Sequence, residues 1–237
     1  MKASMSRAVV CFALGAIALF HYSLSNANLI DLTYGEGAGS FELGTFINGG
    51  GIPSGAGPGY MGVAPGDSAT ITGWTVGGPG DGVDWNVEPV ANADTGIHAI
   101  DLQHAYSSSI WTSIPTITDN DYYLSFSVAA GANVPPYVTS TIGAVSAGSL
   151  VDEIFTATPS ASYITQTFTS FTYRFTAIGP MTTIKFQGAG PTGAVSHYGP
   201  VIDTVSVSAV PLPAAVWLFG SGLLSLLGLS KFHRRLC

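Results

Sequence analysis

Asp121-Tyr-Tyr-Leu-Ser-Phe-Ser-Val-Ala-Ala130 is the stretch whose reading decides the fold. Tyr122, Leu124, Phe126 and Val128 fall on one side and Tyr123, Ser125 and Ser127 on the other, the period of two that marks a strand with one face buried. Working outward, the same alternation of β-branched and aromatic residues recurs in ATITGWTV (69–76), GVDWNV (82–87), GIHAIDLQ (96–103) and VTSTIGAV (138–145). It continues in ITQTFTSFTYRFTA (164–177), MTTIKFQ (181–187) and PVIDTVSVSAV (200–210). Gly, Pro, Ser and Asn punctuate these runs, and no helical period lasts beyond two turns. Short strands parted by turn residues predict an all-β domain, a β-sandwich or jelly roll. In the last run Val201, Asp203, Val205 and Val207 are expected to share a face, which sets one carboxylate in an apolar stripe. The glycine-rich segment 35–66 reads as a long loop apart from a first strand at SFELGTF (40–46).

The two ends have a different character. Lys2 and Arg7 precede an uncharged apolar run from Ala8 to Phe20, and Ser25-Asn26-Ala27 is a small-x-small cleavage pattern, so 1–27 reads as a secretory signal peptide. At the other end no charge occurs between Val210 and Ser230, and 21 helical residues would span roughly 31 Å, about one bilayer core. Lys231, Arg234 and Arg235 follow, so 210–237 is expected to be a transmembrane helix over 210–230 plus a basic tail, with the C-terminus cytoplasmic. The intervening 28–209, about 180 residues, is long enough for one domain with its own core. It holds two basic residues, Arg174 and Lys185, against fourteen acidic ones, and no cysteine. That acidity excludes a nucleic-acid surface and favours neutral sugars or divalent cations as ligands. Without disulfides the domain must be held by its core, with a bound metal as a further support.

The tail Val210, Pro211, Leu212, Pro213, then the apolar span with Gly220, Gly222 and Gly228, then Arg234 and Arg235, resembles the PEP-CTERM sorting signal of Gram-negative bacteria that make extracellular polysaccharide. Leu212 stands where that family usually has Glu. The resemblance implies export through the Sec translocon, inner-membrane anchoring before processing by an exosortase, and release to the envelope or extracellular matrix. Between the ends, the order GSFE, ITGWTV, VDW, IDL, IWTSIPTI, DYYLSFSV and YGPVIDTVSV resembles single-module proteins of the choice-of-anchor C type, related to a plant cell-wall family and to galactose-binding-like jelly rolls. That resemblance implies a carbohydrate-associated module, and, where its first and last strands meet, a structural Ca²⁺ held by Glu42 and Asp203. A buried carboxylate needs some partner, so the alternative for Asp203 is a bond to a neighbouring backbone.

Trp85, beside Asp84 and Asn86, and Trp111, after Ser107–Ser109, stand in polar surroundings and are the expected stacking platforms for sugar rings; Trp74 reads as core. His98 and His104, with His197, have no spacing that establishes a zinc site. No nucleophile elbow, metalloprotease helix or phosphate loop is present, and no acid pair stands out as a glycosidase couple. The sequence thus predicts a non-enzymatic, exported protein with a carbohydrate-binding β-sandwich and extracellular polysaccharide as partner. A polysaccharide hydrolase and a ligand-free matrix component are the alternatives.

Overall fold

The computed structural model describes residues 27–51, 58–78, 80–130, 141–157, 166–189 and 199–211. Within the compact unit Asn26–Ala209 these form a short helix, α1 (Leu29–Tyr34), and the strands β1 (Tyr60–Val63), β2 (Thr75–Gly77), β3 (Val83–Asn86), β4 (Ala99–Asp101), β5 (Ser109–Pro115) and β6 (Asp121–Ala130). The strands β7 (Thr141–Ala147), β8 (Leu150–Ala157), β9 (Thr169–Thr176), β10 (Met181–Gly188) and β11 (Pro200–Ala209) complete them. One antiparallel sheet has the order β1-β3-β4-β11-β6-β9 and the other β2-β5-β10-β7-β8. The last eight strands therefore divide as β4-β11-β6-β9 facing β5-β10-β7-β8, the nested Greek keys of a jelly roll. β1 and β3 widen the first sheet and β2 the second. The expected all-β sandwich is the fold observed.

The face read from the deciding stretch is the core face. Tyr122, Leu124, Phe126 and Val128 are all buried in the main cluster, and the Phe126 ring lies 4.9 Å from Phe186 and 5.3 Å from Phe155 across the sandwich. Each such ring removed from water contributes about 1.5–3 kcal/mol. Two other expectations are corrected. SFELGTF is not a strand: Phe41 has φ 60° in a run of turns, with Phe41 N–H donating to Ala38 O and Glu42 N–H to Gly37 O. Nor does β11 keep one stripe, because its register slips between Asp203 and Ser206 with Thr204 at φ 52°. The bulge leaves Val201 on the outer face with Ala91, Ala99 and Ala129, while Val205 and Val207 enter the main core. Asn28 links α1 to this strand: its Oδ1 accepts from Ile30 N–H and Val207 N–H, and its Nδ2 donates to Val205 O.

The expectation of inner-membrane anchoring is corrected: among the described residues no helix is long and apolar enough to cross a membrane. Val210 and Pro211 follow β11 without regular structure. Leu212, Pro213, Arg234 and Arg235, with the rest of the tail and residues 1–26, lie outside the described residues. The exosortase, Sec translocon and membrane partners read from those segments gain no support from the fold.

Candidate functional site

The three tryptophans among the described residues separate into two kinds. Trp74 and Trp85 are buried, and each indole N–H donates to the carbonyl of a turn residue, Trp74 to Ala38 at 2.8 Å and Trp85 to Phe41 at 3.1 Å. They pin the 38–41 turn onto the sandwich. Trp85 is only 1% exposed, with Phe46 edge-on at 5.3 Å and His98 at 4.9 Å. It therefore offers no face to a sugar, and the expected stacking role for Trp85 is corrected. Its polar neighbours Asp84 and Asn86 misled because they point to the opposite side of β3 from Val83 and Trp85, both in the main core.

Trp111 is different. In β5 the side chains of Ile110 and Ile114 enter the core, so Trp111 and Ser113 stand on the outer face of the five-stranded sheet. Trp111 is half-buried there. Its ring lies over Gly77 of the edge strand β2: a Cβ at Gly77 would fall 2.1 Å from Trp111 Cζ3, so only glycine admits the ring in that position. The register sets Thr75 and Lys185 on either side of Trp111, and Ser146 beyond Lys185. Two pairs along, Gln187 is half-buried opposite the fully buried Ser109, and in the other direction Ser113 Oγ and Thr183 Oγ1 share a hydrogen bond of 2.9 Å. The result is one indole in a field of hydroxyl, amide and ammonium groups. The sequence singles out Trp111 as a candidate but gives no sign of Gly77 or Lys185 beside it. The alternation in MTTIKFQ does place Lys185 opposite Ile184 and Phe186, but only strand register brings it beside the ring.

Glu42 and Asp203 do not share a site. Asp203, with no exposed surface, accepts from Asp94 N–H at 2.7 Å and Thr95 N–H at 2.9 Å through Oδ2, and from Thr204 N–H through Oδ1. Glu42 Oε1 accepts from Ile97 N–H and His98 N–H, both at 2.8 Å, and its Oε2 lies 3.0 Å from His98 Nδ1. The two carboxylates thus bracket opposite ends of the segment Asp94–His98. N–H donors lie against both carboxylates, three on Asp203 and two on Glu42. No group of three or more metal-ligating side chains occurs among the described residues. Burial, outweighing the three N–H donors, pushes the Asp203 carboxyl up to about 7.

A third cluster lies on the outer side of the six-stranded sheet. Asp84 and Asp101 are directly paired between β3 and β4, and His104 Nδ1 is 2.6 Å from Asp84 Oδ1. Asp101 Oδ1 accepts from Gln103 N–H and Gly199 N–H. All three side chains are buried. Burial, then the neighbouring Asp84 charge, push the Asp101 carboxyl well above the carboxylate range, and the Asp84 hydrogen bond raises His104. His98 and His104 each bond a different carboxylate, so they do not converge as metal ligands; His197 lies outside the described residues.

Fold and site together define an acidic jelly-roll domain with, among the described residues, one tryptophan on an outer sheet face. Residues 48–208 match the family described as "Protein of unknown function (DUF642)", and the chain belongs to that family. No curated protein matches it in sequence. Among solved structures it is similar to TmCBM61 in complex with beta-1,4-galactotriose, at 15% identity over 58% of this chain and 88% of that one, with a TM-score of 0.41. The cleaved adhesin domain of Lys-gingipain from Porphyromonas gingivalis is 16% identical over 73% and 96% of the two chains, with a TM-score of 0.45. The Stig cyclase Fisc from Fischerella sp. is 14% identical over 75% and 96%, with a TM-score of 0.44.

Proposed function

We propose that this chain binds a polysaccharide by stacking a sugar ring on Trp111, without cleaving it. The observation that carries the reading is the contrast among tryptophans: Trp74 and Trp85 are core residues with their N–H groups bonded internally, whereas Trp111 faces outward, seated on Gly77. An indole face matches the apolar C–H face of a pyranose, and the hydroxyl and amide side chains around it suit the sugar's equatorial hydroxyls. Binding is favoured over hydrolysis because the acid pair set directly opposite across two strands, Asp84 and Asp101, is buried with His104 and spends its hydrogen bonds internally. A glycosidase instead needs two carboxyls across an open cleft. The test is a glycan array probed with the full-length chain, followed by a reducing-sugar assay on every glycan retained. Retention without release of reducing ends is expected. Release of reducing ends would establish the hydrolase, and an array with no retained glycan would leave a matrix protein without a sugar ligand.

A further inference from the structure

We infer that the sugar held at Trp111 carries a carboxylate, and that Lys185 is its cation; this rests on the stacking role proposed for Trp111. The domain has two basic side chains, and one is already engaged: Arg174 Nη2 meets Asp121 Oδ2 at 2.5 Å. Lys185 is the other. Strand register puts it directly opposite Trp111, and no side-chain carboxylate of the chain forms an ion pair with it, although all fourteen acidic residues are described. The outward positions of β2, β5 and β10 carry no acid, so on the three strands around Trp111 Lys185 is the one charged side chain. On the same face Asp152 of β8 lies beyond Ser146, whose Oγ donates to Asp152 Oδ1 at 2.9 Å.

The directly opposite pair in an antiparallel ladder has Cβ atoms about 5 Å apart. A lysine stem reaches about as far again, so its ammonium can meet a group on the rim of a ring stacked on the indole. A carboxyl on the pyranose rim, as in a uronic acid, is such a group, and the bond it forms is charge-assisted. The acidity of the remaining surface sets a limit in the other direction. A densely charged polyanion would be repelled, so the ligand is a glycan in which uronate residues are sparse.

The experiment is a paired array, each acidic oligosaccharide printed beside its carboxyl-reduced, neutral counterpart, probed with the full-length chain. Wild type is expected to favour the acidic member by about tenfold, with the ratio shrinking as salt rises. Lys185→Met should bring the ratio to about one, and Lys185→Arg should retain it. Equal retention of both members by wild type, or an unchanged ratio in Lys185→Met, overturns the carboxylate assignment and leaves the stacking role standing. Retention of neither member overturns both.

Discussion

Asp203 gives the sharpest test of how this domain is held. Its carboxyl is fully enclosed, and burial lifts it from 3.8 to about 7 despite three backbone donors. A carboxyl raised on folding binds its proton more tightly in the native state than in the unfolded one, so stability is full below pH 3.8 and declines as pH rises toward 7. At about 1.4 kcal/mol per pH unit, the decline attributable to Asp203 is roughly 4 kcal/mol between pH 4 and 8. Asp203→Asn replaces the neutral acid by a neutral isostere. Its carbonyl still accepts from Asp94 and Thr95, while Thr204 N–H loses its acceptor, a cost of about 1 kcal/mol. Urea denaturation of both proteins from pH 4.5 to 8 should therefore find them about equal near pH 4.5, with the variant roughly 3 kcal/mol more stable at pH 8. A variant that is less stable by the same amount at every pH would refute the reasoning, because it would mean that the donors keep Asp203 ionised throughout.

The raised Asp101 and His104 act in the same direction, so Asp203→Asn should still lose stability as pH climbs above 6.5, and Asp101→Asn should reduce that remaining slope in the same denaturation series. EGTA should leave thermal unfolding unchanged, since the oxygens of Glu42 and Asp203 are taken by N–H donors; a lowered midpoint would return calcium to this pair. Gly77→Ala should cost about 1–3 kcal/mol or expel the Trp111 ring, seen as a changed fluorescence spectrum together with lost glycan retention. Trp85→Phe should cost about 2–3 kcal/mol in urea through the lost Phe41 bond and packing, whereas Trp111→Ala should cost under about 1 kcal/mol.

The fold was legible where one face of a strand is apolar. DYYLSFSVAA, IWTSIP and MTTIKFQ show their core faces by alternation alone, and the sandwich follows from their number. What was not legible depends on contacts between distant segments. SFELGTF alternates like a strand, yet it becomes a turn because Trp74 and Trp85 draw on the carbonyls of Ala38 and Phe41. The β11 bulge turns on Thr204 taking a positive φ while Asp203 is bonded to the Asp94–Thr95 backbone, which lies far away in sequence. The polar neighbours of Trp85 suggested exposure because a strand between a packed core and a covering loop buries both faces. At the candidate site Trp111 was readable from its place among serines. The glycine beneath it and the lysine beside it were not, since both depend on strand register.

The central claim rests on Trp111, and the most direct measurement is the dissociation constant of a glycan retained by wild type for Trp111→Ala and Trp111→Tyr, with melting temperature followed in parallel. The account predicts at least about a tenfold loss for alanine, substantial recovery with tyrosine, and melting temperatures close to wild type for both. Unchanged affinity in a folded Trp111→Ala would contradict it.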